Sequence, residues 1–424
     1  ADNIPVEVFA SAKNLKAGTD LNKENIYDTR RARFTLQRQK NGECRLLIPF
    51  SVFDTPKASQ NTIRRIKSIA FHLSGERGGK VKLLSTRLLE GNSVKTTADC
   101  YSRPGEPGDT IVYPVTVTNC EPTSQSVYFS IQKYGWEAFP VTVEPTQLEL
   151  ASGETRKVNV HVIVPPGIPA GGREKQTLQI LPSANPSAVR TLTFTTLCSM
   201  PHPFTIHTAE GWDEVRRKAG TYDWAKDRKE RYIQDAKAWI VPLRPPYVAN
   251  GDGIPYLCAT THEHGLMNNA IAWQLTRSPE YARKVKQFLL MISDYQNGFP
   301  LTRKASHQSS VQEGHFFQHL AQAYDLIQDA GILTDAECAQ IEYTFRLYID
   351  LFLRHKSTGG ANWAVSQLTG VFFCALAIQD FQLVDEVLYA PSCLMDKFRT
   401  YTMPDGWWYE CTVSYNLWVA SEYV

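Results

Sequence analysis

Up to about residue 198 the chain sets apolar and polar positions in short runs broken by Gly, Asn, Pro and Ser. RARFTLQRQ, ECRLLIPFSVF, IKSIAFHLSG and GKVKLLSTRLLEG make a first series. After a turn-rich joint at YSRPGEPGD comes a second: TIVYPVTVTN, SVYFSIQKYG, VTVEPTQLEL, TRKVNVHVIVPP, KQTLQILPS and RTLTFTTL. Short apolar or alternating runs bounded by such residues predict strands, and strands at this spacing predict antiparallel sandwiches. Beyond Cys198 the period lengthens. Phe316, Phe317, Leu320, Ala321, Tyr324 and Ile327 recur at helical spacing, and Gly331 stops the run. WDEVRRKAG, DWAKDRKERYIQDAKAWIV, THEHGLMNNAIAWQLT, PEYARKVKQFLLMISDYQ, DAECAQIEYTFRLYIDLFLRH, NWAVSQLTGVFFCALAIQD and SCLMDKFRTYT behave alike, with no strand-like segment between them. This predicts an all-α domain of antiparallel hairpins with roughly eight or nine helices. The expected layout is a β module over 1–102, a second β-sandwich over 103–198 and a helical domain over 199–424.

Composition narrows the partners more than the fold. With 424 residues, 43% hydrophobic and 21% charged, the chain has the composition of a soluble protein of more than one domain. A net charge of +2 gives no global basic field for nucleic acid, so an anionic partner needs local basic groups. No run of about 18 apolar residues is present, and no membrane span is expected. The 9 Trp and 19 Tyr offer flat apolar faces with polar handles, which suit sugar rings as well as cores. The 9 Cys are scattered without a CxxC pair, which argues against a zinc ribbon or a dithiol redox site. The opening ADNIPVEVF, without Met, suits a mature chain after signal cleavage, and a secreted or periplasmic protein is expected. The close at YNLWVASEYV, inside a helical pattern, reads as a fragment of a longer enzyme or an incomplete toroid.

Several segments resemble known modules. TQLELASGETRKVNVHVIVPPGIPAG is similar to the immunoglobulin-like modules appended to bacterial carbohydrate-active enzymes. MPHPFTIHTAEGWDEVRRKAGTYDWAKDRKERYIQDAKAWI, with His202-Pro203 and Trp224, resembles the opening of the catalytic domain in heparinase II/III-like and alginate-lyase-like proteins. AQAYDLI, GGANWAVSQLTGVFFCALAI and MPDGWWYECTVSYNLWV look like successive landmarks of the same superfamily. The resemblance implies an (α/α) toroid that cleaves a uronate-containing polysaccharide by β-elimination, a glycosaminoglycan-like polymer being favoured. It implies no cofactor for the chemistry, and it would place any structural divalent metal in a C-terminal domain. The implied carboxylate-side donor is Asn362, which opens a helix after Gly359 and Gly360, and the implied base or acid is Tyr415, after Asp405-Gly406. Many relatives carry His beside that Asn. Here Trp363 stands in its place, and no His lies between Asn362 and Val424.

The chemistry sets further demands. Removing a proton beside a carboxylate builds up a dianion-like enolate, which preorganised donors must hold. A Tyr phenol, with an ordinary pKa of about 10, needs nearby positive charge to act as a base near neutrality. Candidate substrate contacts are His264, Arg303, His307, Gln308, Trp363, Trp407 and Glu410. Each has a plain structural alternative: Asn362 as an N-cap, Trp363 and Tyr415 as packing, and the 303–308 segment as an ordinary polar loop. Thr261-His262-Glu263-His264 is not HExxH, and ligands two apart diverge on a helix, so no metal site is expected there. His315 and His319, one turn apart, read as the less buried side of their helix. The rival functions are a toroid glycoside hydrolase, which needs two carboxylates across the scissile bond, and a non-catalytic polysaccharide-binding protein.

Overall fold

A computed structural model describes residues 3–11, 16, 29–37, 68–73, 93–121, 123–243, 256–294, 298, 309–354 and 356–423. Strands fill the described part up to Cys198 and helices the remainder. In the first module β1 (Asn3–Ser11) lies between β2 (Thr29–Gln37) and β3 (Ser68–Leu73), antiparallel to both. Val6, Val8, Phe9 and Ala10 of β1 are buried. The expected strands at ECRLLIPFSVF and GKVKLLSTRLLEG lie outside the described residues.

The second module is a sandwich of two sheets sharing one core. One sheet orders β4 (Val94–Ala98), β6 (Thr110–Asn119), β10 (Thr155–Ile163) and β8 (Val141–Glu144). The other orders β5 (Ser102–Gly105), β12 (Arg190–Cys198), β11 (Arg173–Pro182), β7 (Gln125–Gln132) and β9 (Gln147–Leu150). Alternation decides which side chains meet. Tyr113, Val115 and Val117 of β6 and Val158, Val160 and Val162 of β10 face Phe129, Leu178, Ile180 and Phe194 of the opposite sheet. Burying each such side chain is worth about 1.5–3 kcal/mol before chain entropy is counted.

Two expectations are corrected here. β4 precedes the boundary expected at 102/103 and β5 spans it, yet they pair with β6 and β12, so the sandwich starts at Val94. VTVEPTQLEL reads as one strand but forms two, in different sheets. Pro145 cannot donate a ladder hydrogen bond, and the chain crosses between the sheets at that point.

Ten helices follow among the described residues. They are α1 (Ala209–Thr221), α2 (Asp223–Ala238), α3 (Tyr256–Thr276), α4 (Pro279–Ile292) and α5 (Ser309–Gln328). After them come α6 (Asp335–Arg354), α7 (Asn362–Ala377), α8 (Phe381–Tyr389), α9 (Leu394–Tyr401) and α10 (Val413–Tyr423). The short helix α8 is the one the periodicity does not predict; Asp380 caps it by accepting from the Leu383 N–H at 3.2 Å. α3, α5 and α7 pack side by side with α10 against α7, while α4 and α6 pack behind them. Two glycines set the α5–α7 spacing. A Cβ on Gly314 would stand 2.5 Å from the Ser366 carbonyl oxygen, and one on Gly370 would stand 2.6 Å from that of Gly314. No helix among the described residues is long and apolar enough to cross a membrane.

The sandwich is tied to the helices by specific polar contacts. The Phe381 N–H donates to Ser102 Oγ at 3.1 Å, and Arg173 and Lys175 both reach Asp385. The connecting segment is fastened more firmly. Gln379 accepts from the Met200 N–H at 2.8 Å and donates to its carbonyl at 2.9 Å. Asp325, fully buried on α5, accepts from the backbone N–H of Phe204 and Thr205 and from the Thr205 hydroxyl, with His202 Nδ1 at 2.6 Å. The His202-Pro203 and AQAYDLI landmarks, 123 residues apart, therefore meet in one hydrogen-bonded lock.

Candidate functional site

The loop before α7 is shaped from below. Lys397 of α9, 1% exposed, donates from Nζ to the carbonyls of Ser357, at 2.7 Å, and Gly359. Burial holds its amine below the ordinary lysine value. Gly360 lies flat on the Tyr401 ring, where an added Cβ would come within 2.3–2.5 Å of three ring atoms. A Cβ at Gly359 would meet nothing nearer than Ser357 Oγ at 3.6 Å. Gly360→Ala should therefore displace the loop and lower stability by about 1–3 kcal/mol, whereas Gly359→Ala should stay within about 0.5 kcal/mol of the parent. Denaturant midpoints of the two variants measured side by side check this, and equal midpoints would refute the role given to the Tyr401 contact.

Asn362 is the first residue of α7 and not its cap; the cap position is Ala361, which makes no side-chain bond. The N-cap alternative for Asn362 is corrected accordingly. Its backbone N–H donates to Glu410 at 2.9 Å, and its Nδ2 stands 3.0 Å from each Glu410 oxygen. The Trp408 indole N–H donates to the same carboxylate at 2.9 Å. Glu410 thus fixes the amide plane of Asn362 by reaching back across 48 residues to the start of α7, where the helix end also favours negative charge. Trp408 is buried, and its backbone N–H donates to Asn416 Oδ1 at 2.9 Å, tying the 408–410 turn to α10.

Around this unit the aromatics open to solvent: Trp407 is 38% exposed, Tyr409 41% and Tyr415 41%. Tyr415 lies on the first turn of α10, its N–H donating to Thr412 Oγ1 at 3.2 Å. Burial, with Glu410 and Tyr401 nearby, holds the Tyr409 phenol above its usual value. Trp363 is half-buried beside Asn362 in the chain. Of the expected substrate contacts, Glu410 meets Asn362 directly and Trp407 adjoins them through the chain. His264 is exposed on α3. Arg303, His307 and Gln308 lie outside the described residues.

A second polar cluster occupies the space between α3, α5 and α10. The residues of Thr-His-Glu-His whose side chains are described do diverge. His262 packs against Trp239 and Phe288, and His264 faces solvent. Glu263, 5% exposed, turns inward to His319 Nδ1 at 2.8 Å. His315, one turn earlier on α5, places Nε2 2.8 Å from Glu422 and 2.6 Å from the Trp418 indole nitrogen, both on α10. Burial alone would lower the His315 pKa, but the carboxyl groups of Glu422 and Glu263 outweigh it and hold it above the ordinary value. Glu313, buried on the same helix, is pushed up to about 8 by desolvation, so it adds little negative charge near neutrality. Sequence spacing does not find this cluster because its members come from three helices. The one local signal is the four-residue interval between His315 and His319, which puts both on one face.

No family model matches the chain, and no curated protein does. Among solved structures, an alginate lyase from Bacteroides ovatus aligns with 48% of this chain and 68% of its own, at 14% identity and a TM-score of 0.39. The ASH/PapD-like domain of human CEP192 aligns with 29% of this chain and 98% of its own, at 19% identity and a TM-score of 0.21. A family 123 glycoside hydrolase from Clostridium perfringens aligns with 34% of this chain and 36% of its own, at 6% identity and a TM-score of 0.22. Similarities of this size say nothing of what the chain acts on.

Proposed function

We propose that this chain carries the catalytic part of a secreted or periplasmic bacterial polysaccharide lyase that cleaves a uronate-containing polymer, of glycosaminoglycan type, by β-elimination. The observation that carries this reading is the Asn362–Glu410–Trp408 unit, a preorganised amide beside the exposed rings of Trp407, Tyr409 and Tyr415. Aromatic faces hold sugar rings, and an oriented amide is the kind of donor that stabilises charge growing on a uronate carboxylate. Asn362 takes the carboxylate side and Tyr415 the proton.

The reading needs a cation near the tyrosine, and His315 is the candidate. Tyr415, Trp418 and Glu422 follow one another at three- and four-residue intervals, within an arc of about 60° on α10. Trp418 and Glu422 both meet His315, and the spacing puts Tyr415 on their side of α10, which supports this choice. His315 is a positioning residue in this scheme: its charge acts through the α10 face and does not touch the sugar.

Incubation with a panel of uronate polysaccharides, followed by ultraviolet absorbance of the unsaturated product, tests the proposal. A rise in absorbance is expected with at least one polymer. New reducing ends without absorbance would mean hydrolysis, and retention without cleavage would mean binding alone; either outcome rejects the lyase reading.

A further inference from the structure

The cluster between α3, α5 and α10 has the composition of a metal centre, with two imidazoles and a carboxylate converging from two helices. One ligand atom from each of Glu263, His315 and His319 lies within 4.8 Å of the others. Tetrahedral zinc with nitrogen and oxygen ligands at about 2.0–2.2 Å needs those atoms about 3.4 Å apart, a contraction that side-chain rotation supplies. The two imidazoles sit four residues apart on α5, ring centres 6.3 Å apart and planes 33° from parallel.

Glu422 is the independent observation. Its side chain is 2% exposed; Oε1 pairs with His315 Nε2 at 2.8 Å, and Oε2 has no hydrogen-bond partner among the described residues. A buried carboxylate behind an imidazole is the usual outer partner of a metal-bound histidine, fixing its tautomer and orientation. The Trp418 indole N–H points at the same nitrogen from 2.6 Å. One ring nitrogen cannot accept a proton from the indole and donate one to Glu422 at the same time. Coordination of His315 through its other nitrogen chooses between the two: the remaining ring proton is then fixed on Nε2, facing Glu422, and the indole N–H has to turn to another acceptor. The two negative charges of Glu263 and Glu422 also match a divalent ion.

We propose that Glu263, His315 and His319 bind one divalent transition-metal ion of the zinc class, with Glu422 of α10 orienting His315 and the ion clamping α3 to α5. Imidazole nitrogen with a single carboxylate suits zinc or cobalt and not magnesium or calcium, which prefer all-oxygen shells. With an ion bound, His315 is a neutral ligand, and the ion, in place of a protonated imidazole, supplies the positive charge beside α10. The test reads binding without any turnover, so its failure is distinguishable from failure of the lyase reading.

The purified chain, stripped with a chelator and dialysed, would be titrated with zinc chloride by calorimetry. One ion per chain with a dissociation constant below a micromolar is expected, along with a thermal midpoint that rises with zinc and not with magnesium. His319→Gln and Glu263→Gln should each weaken binding at least 100-fold, while His161→Ala, on β10 of the sandwich, should leave it unchanged. In the parent protein cobalt should give visible absorption without a thiolate charge-transfer band, which separates this site from adventitious capture by the free cysteines and does not depend on the variants folding. Absence of saturable zinc binding, a thiolate band, or equal affinity in the parent and His319→Gln overturns the proposal.

Discussion

Asp325→Ala should cost about 3–5 kcal/mol of stability, the range for removing one member of a buried, fully bonded charged group. The side chain is completely buried on α5 and gathers the segment that leaves the sandwich. Its loss would strand the backbone N–H groups of Phe204 and Thr205, both half-buried, and each such orphan donor costs up to about 1–3 kcal/mol. Asp325→Asn should fall between parent and alanine variant, because it keeps one acceptor but turns an amide towards groups that themselves donate. Thermal melts followed by far-ultraviolet circular dichroism would measure the series. A loss below about 1 kcal/mol for alanine would mean that water or a shifted loop replaces the carboxyl, and the lock would then not be what holds the segment to α5.

That lock also shows what the sequence makes legible. The period of α5 is plain from Phe316 to Ile327, and every apolar position in it is buried. Asp325 sits inside the same stripe, and periodicity alone treats it as a polar exception. Its purpose becomes visible only once His202 and Thr205 arrive from 120 residues or more away. The strands of the second sandwich are legible for the opposite reason: alternation is a local property, and TIVYPVTVTN coincides with β6 from end to end. It fails at VTVEPTQLEL, where one apolar run serves two sheets, and at α8, where nine residues give too little periodicity and only the Asp380 cap signals a start.

The candidate site divides along the same line. Gly359-Gly360-Ala361-Asn362 draws attention as a motif, but only the coordinates separate the glycine that must stay bare, Gly360, from the one with open space around it. Asn362 reads from the sequence as a cap or a donor, and the distinction rests on Glu410, 48 residues later. The histidine that the resemblance asks for is absent from the residues following Asn362, while His315, from an earlier helix, meets α10 instead. Contacts across three helices leave no spacing rule in the chain.

Tyr415→Phe should lower turnover on the responsive polymer by about 10²–10⁴-fold, the usual worth of a positioned proton-transfer group. The ring is 41% exposed and the change removes one oxygen atom, so folding stability should shift by no more than about 0.5 kcal/mol. KM should hold nearly constant, because the phenol acts on the proton in flight and the neighbouring rings of Trp407 and Tyr409 still grip the sugar. Tyr409→Phe is the matched comparison. Its phenol is held above the usual value by burial, with Glu410 and Tyr401 adding to the shift, which disfavours the phenolate a base requires; the variant should keep turnover within about tenfold. A Tyr415→Phe enzyme with near-normal kcat would remove Tyr415 from the chemistry. A large loss at both positions would point to the aromatic surface as a binding platform, with the proton handled elsewhere.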